Sequence, residues 1–139
     1  RLAMARTGAA MVHDFPLTGV GPAMIPKLYA QYRDPDAVNA MNPHLHNVPL
    51  QIAAERGLPA LVTWLAFIVA LGYGLFRLFR TEREPIMAAA GLAAIASMLS
   101  AGLFEYNFGD SEFLMLFLVI VTLPFAAARR DDAPASPRA

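Results

Sequence analysis

The chain has 139 residues, of which 57% are hydrophobic and only 16% charged, against about 25% charged in ordinary soluble domains. Its mean hydropathy is +0.45, and its apolar residues fall in long runs, as membrane spans require. Eleven basic residues balance eleven acidic ones, and there is no cysteine; this excludes a net field that would draw nucleic acid, a disulfide framework and a thiolate metal site.

The chain opens on Arg1 with no signal peptide before it. We read it as the C-terminal part of a longer polytopic membrane protein; a processed chain would look the same. Residues 2–13 read as a partly apolar helix, with Leu2, Met4, Ala5, Ala9 and Val12 as candidate buried positions, lying either at the end of a membrane helix or in the interface. Residues 14–22 hold two glycines and two prolines, which specify a tight backbone path. Residues 27–42 read as a polar loop. A short helix is expected over 48–56, with Asn47 near its N-cap and Gly57 as a left-handed C-terminal cap.

Three uncharged runs follow. Twenty residues separate Arg56 from Arg77, twenty separate Glu84 from Glu105, and sixteen separate Glu112 from Arg129. At about 1.5 Å per residue, twenty residues cross the roughly 30 Å hydrocarbon core. The reading is therefore an all-α, polytopic transmembrane helical bundle, with spans near 58–76, 86–104 and 113–128. The second span is rich in alanine and glycine and is expected inside a bundle, since small faces let helices approach closely in lipid. The third is bulky and is expected to face lipid, with Pro124 kinking its last turn.

Sidedness comes from the connectors. The turn after the first span holds Arg77, Arg80 and Arg83, and the tail begins Arg129-Arg130. The other connector holds Glu105, Asp110 and Glu112 and no basic residue. The positive-inside rule then puts the basic turn and the C-terminus in the cytoplasm. Residues 1–57 and the acidic connector fall outside, and residues 129–139 read as a disordered cytoplasmic tail.

The densest polar cluster is Asn42-Pro43-His44-Leu45-His46-Asn47. At the start of a helix it would favour an anion. Two histidines in an exposed loop are more often solvated or structural than catalytic. As metal ligands His44 and His46 point apart on a helix, although they converge on a strand, and no third ligand stands near them in sequence. Among the arginines on this side (Arg1, Arg6, Arg33 and Arg56), a planar guanidinium suits phosphate. For Arg6 and Arg56 the default reading is an interface anchor. Glu105, Asp110 and Glu112 could position an acceptor sugar, but read more simply as a solvated turn.

The order of these motifs resembles a known family. An arginine and a short helix precede Pro16-Leu17-Thr18-Gly19-Val20-Gly21-Pro22. A variable loop leads to His46-Asn47, then to Leu50-Gln51-Ile52-Ala53-Ala54-Glu55-Arg56-Gly57-Leu58. Three spans follow, with Glu105-Tyr106-Asn107-Phe108-Gly109-Asp110 between the last two. Over nearly all of residues 1–128 this resembles the C-terminal region of the O-antigen ligase-like membrane proteins, which include O-antigen ligases and polymerases. Gly57-Leu58-Pro59-Ala60 departs from the commoner Gly-Leu-x-Gly.

The resemblance implies a bacterial inner-membrane enzyme of cell-surface polysaccharide biosynthesis. Its donor would be a glycan on undecaprenyl diphosphate. Its acceptor would be a lipid A–core sugar or another glycan. No cofactor and no metal are implied. The family histidine corresponds to His46, leaving His44 as an extra residue of this chain, and Arg1 takes the place of a family arginine. His46 and Arg1 are thus expected as catalytic residues, with Asn47, Arg33 and His44 contacting substrate. Three spans do not enclose a site, so this stretch alone is expected to be inactive. The rival class is a transporter or a structural membrane subunit. Transporters place polar residues or helix breaks at mid-membrane, whereas here the polar cluster lies outside the spans.

Overall fold

The computed structural model describes residues 1–131, with side chains through Arg129, and every regular element among them is helical. These are α1 (Leu2–Asp14), α2 (Ile25–Tyr32), α3 (Val48–Arg80), α4 (Pro85–Gly102) and α5 (Ser111–Asp131), with a single 3-10 turn at Asn107–Gly109. Helices α3, α4 and α5 are each long and apolar enough to cross a membrane. The expected helical membrane bundle is borne out.

The 18 residues of α4 rise about 27 Å, close to one hydrocarbon thickness. Helix α4 packs against both α3 and α5, as its small residues require. A Cβ at Gly91 would sit 2.9 Å from Leu75 Cδ1, and one at Gly102 would sit 3.1 Å from Val48 Cγ2. Lipid supplies no hydrophobic drive between helices, so close packing of this kind holds them together. Trp64, Ile68, Leu75, Ile95, Met98, Phe117 and Val121 form the shared core. The opposite faces, including Val62, Val69, Tyr73, Met115 and Val119, are exposed. They suit lipid or further helices. Helix α5 therefore packs along one face and exposes the other.

Several elements differ from the sequence reading. The first span is continuous with the short helix before it, making the 33-residue α3. Gly57 holds a positive φ of 82°, as a glycine cap would, but its ψ of 170° is not αL, and it joins two helical parts rather than ending one. Helix α2 lies in a stretch read largely as loop. Its eight residues offer little periodicity, but Pro26 fits its first turn, and Ile25 and Tyr29, four apart, are fully buried. Helix α5 runs past Pro124 to Asp131, so the expected tail begins later than residue 129. Residues 132–139 lie outside the described residues.

The joint at Gly57 explains the Pro-Gly motif. In an unbroken helix the Ala54 carbonyl would accept from Leu58 N–H, and the Glu55 carbonyl would face Pro59, which has no N–H. Instead Val20 N–H donates to Ala54 O at 2.8 Å, Gly21 N–H to Glu55 O at 3.0 Å, and Leu58 N–H to Pro16 O at 2.8 Å. The loop thus satisfies the backbone groups that the break releases. This contact is close enough to exclude a side chain. A Cβ on Gly19 would lie 2.3 Å from the Glu55 carbonyl carbon, and Gly19 holds φ +66°.

Helices α3 and α4 form an antiparallel hairpin. The start of α3 and the end of α4 therefore share one end of the bundle, and the turn carrying Arg77, Arg80 and Arg83 lies at the other. Helix α1 docks on the first part of α3. It does so through Gly8, where a Cβ would meet Leu45 and Leu50 side chains at 2.7 Å.

Candidate functional site

The histidine loop is pinned at four points. Asn42 is buried and donates to Tyr29 Oη at 2.9 Å. Leu45 N–H donates to the buried Gln51 Oε1 at 2.8 Å, and the Leu45 side chain is buried with Met11, Ile25 and Ala54. Asn47 caps α3, accepting from Leu50 N–H at 2.9 Å. Its amide nitrogen donates to Leu103 O, the end of α4, at 3.2 Å. Between these anchors His46 holds φ +52°, a left-handed conformation that costs a residue with a Cβ roughly 1–2 kcal/mol. Such strain persists only where the surroundings over-determine it, as these anchors do.

That conformation brings His46 to Glu105, 59 residues on. His46 Nδ1 lies 2.9 Å from Glu105 Oε1. The carboxylate accepts, so the ring proton belongs on Nδ1 and Nε2 is the basic nitrogen. Tyr106 N–H also donates to Oε1, at 3.1 Å. These bonds hold the Glu105 carboxyl below its ordinary value. The Tyr106 amide is the largest cause, slight burial opposes it, and His46 adds to it. His44 packs edge-on to His46, with ring centroids 4.2 Å apart. Its Nδ1 lies 3.8 Å from the same Glu105 oxygen. Burial, and then the neighbouring His46 charge, push the His44 imidazole down, with Glu105 opposing.

Beside this cluster a groove of about 530 Å³ is lined by Arg1, His46 and Asn47 among apolar Leu2, Ala5, Leu45, Leu50, Leu103 and Phe104. The Arg1 guanidinium sits 5.2 Å from the centre of the Phe104 ring, a cation–π distance. The groove thus offers an apolar wall with one fixed cation and one imidazole, a combination that suits an amphiphile with a charged head.

The structure therefore joins Arg1, His46 and Asn47 along one groove. Each polar end of Asn47 makes one bond to the protein, so Asn47 fixes the loop where it borders the groove. His44 is beside His46 but does not line the groove. Arg33 is elsewhere: it ends α2 and donates to the Ala37 carbonyl. Arg6, read as an interface anchor, instead pairs with Asp36 at 3.2 Å and Asp34 at 3.8 Å. The residue that sequence reasoning missed is Glu105, taken as part of a solvated turn. The available signal was alternation of the spans, which returns the 105–112 connector to the face that carries His46.

A helical membrane protein whose polar cluster lies at one end of the spans, beside an apolar groove, is the class these features define. Residues 1–65 match the family model described as O-antigen ligase, and over that segment the chain is similar to that family. No curated protein and no solved structure matches the chain.

Proposed function

We propose that the chain contributes the acceptor side of a glycosyltransferase that uses undecaprenyl-diphosphate-linked glycan as donor, of the O-antigen ligase or polymerase type. The observation that carries this reading is the groove shared by Arg1 and His46, with His46 tethered to Glu105. The acceptor hydroxyl gives its proton to His46 Nε2 as its oxygen attacks the anomeric carbon. The bond from that carbon to the diphosphate oxygen breaks, with inversion. Arg1, with groups from further helices, holds the charge that develops on the leaving diphosphate. Glu105, itself exposed, keeps the His46 ring proton on Nδ1 and stabilises the imidazolium, the orienting role a carboxylate plays beside a catalytic histidine.

In this reading the groove end of the bundle faces the outside of the inner membrane and the turn at Arg77, Arg80 and Arg83 faces the cytoplasm. A cationic His46 that only binds diphosphate is the second form of the reading. A transporter is disfavoured because the twenty residues from 57 to 76 carry no charge, and the polar cluster lies at the helix ends.

The test is transfer by the complete protein in lipid, for His46→Ala and His46→Gln, across pH. Loss of a general base costs about 10²–10⁴-fold. His46→Gln should also lose the acidic limb of the pH–rate profile. If His46 only bound diphosphate as a cation, activity would instead rise as pH falls. Full activity in His46→Ala overturns both forms.

A further inference from the structure

We propose that His44, His46 and Glu105 form a site for a divalent transition ion of the Zn²⁺ class, and that filling it switches the transfer site off. Among the described residues these three place one ligand atom each within 4.8 Å of one another. Two imidazoles and one carboxylate are a recognised zinc ligand set that leaves a fourth position open. Bond lengths near 2.0–2.2 Å set tetrahedral ligand separations of about 3.3 Å. The two separations from Glu105 Oε1, 2.9 Å to His46 Nδ1 and 3.8 Å to His44 Nδ1, bracket that value.

Two further observations support it. His44 Nδ1 is buried without a hydrogen-bond partner, the position a metal would satisfy. The Tyr106 amide, bonded to Glu105 Oε1, orients the carboxylate as an outer partner orients a ligand.

The inhibitory consequence rests on the proton-acceptor reading of His46. A metal on Nδ1 displaces the proton held there, and the neutral ring then carries its proton on Nε2. Nε2 becomes a donor and no longer takes the acceptor's proton.

The experiment uses the complete protein in lipid nanodiscs, stripped with a chelator and titrated with Co²⁺, then with Zn²⁺. One Co²⁺ per chain with a tetrahedral visible spectrum, displaced by Zn²⁺, is expected. His44→Gln and Glu105→Gln should each weaken binding by more than the roughly 10–100-fold that loss of an outer-shell partner costs. Transfer by the unsubstituted protein should fall on adding Zn²⁺ and return with chelator. Each variant is compared with its own zinc-free rate, and both should be less sensitive.

No Co²⁺ spectrum in the unsubstituted protein, or binding indifferent to His44→Gln, overturns the site and leaves the proton-acceptor reading intact. One bound equivalent with undiminished transfer overturns the switch. Full transfer by His46→Ala in chelator sinks the proton-acceptor reading, while Co²⁺ binding by the unsubstituted protein still reports the site.

Discussion

At the scale of single residues, one carboxylate decides what a histidine can do. A free imidazole exchanges its proton between two nitrogens; Glu105, 2.9 Å from Nδ1, removes that choice. Glu105→Gln keeps the size of the side chain but can present an amide N–H to Nδ1 and favour the wrong tautomer. In chelated buffer this variant should lose on the order of 10-fold or more in kcat, with KM little changed. An unchanged kcat would show that the pair only braces the loop. A second pair braces α1 against α2, where Tyr32 Oη donates to Asp14 Oδ2 at 2.8 Å. The Tyr32 bond, and then His13, hold the Asp14 carboxyl below its ordinary value, while Asp14 pushes the Tyr32 phenol up. The lowered Asp14 contributes stability above the unfolded value near 3.8, and that contribution is lost as pH falls through the folded value. The raised Tyr32 contributes below 10.0, and that contribution is lost as pH rises through its folded value. Tyr32→Phe should therefore flatten both ends of the pH–stability profile, as read by thermal melting, and leave its middle least altered in shape.

At the scale of elements, the joint between Glu55 and Pro59 is the feature on which the site's position depends. Pro59 and the positive-φ Gly57 release the Ala54 and Glu55 carbonyls, and the 16–21 loop takes them up. That loop follows directly from α1, whose N-cap is Arg1. The Pro-Gly motif thus sets where Arg1 stands relative to His46. Gly19→Ala tests this. Its positive φ disfavours a Cβ, and that Cβ would lie 2.3 Å from backbone rather than from a side chain that could move. The expected cost is more than about 1 kcal/mol, seen as a lower melting temperature, with transfer falling further than stability explains because the loop withdraws from α3. A variant with native melting and native transfer would show the loop contact to be incidental. The glycines and prolines were legible in the sequence as a turn. Their partner was not, because backbone pairing between a loop and a broken helix leaves no side-chain pattern. Helix α2 was hidden for a related reason: eight residues hold two buried positions, too few for a period to show.

At the scale of the whole molecule, the three spans were legible because a hydrocarbon core demands long uncharged runs, whatever else the protein does. The site was half legible. Arg1, His46 and Asn47 stand in motifs whose order could be read. Glu105 is an acid in an acidic turn, with nothing local to mark it, and only the hairpin of α3 and α4 returns it to His46. The same hairpin yields a prediction about the membrane. Because α3 and α4 run antiparallel, position 38 belongs to the end that carries the site, and position 82 lies in the turn at the far end. Val38 is 96% exposed and Glu82 is exposed, and the 139 residues contain no cysteine. Single Val38→Cys and Glu82→Cys substitutions therefore report their own accessibility. Under the proposed sidedness, in intact cells a membrane-impermeant maleimide applied from the outer side should label position 38 and spare position 82 until the membrane is opened, in line with the three arginines of the far turn. Labelling of 82 and sparing of 38 would invert the protein and remove the groove from the side where an extracytoplasmic transferase must work. Equal labelling of both would mean that α3 and α4 do not cross the bilayer at all.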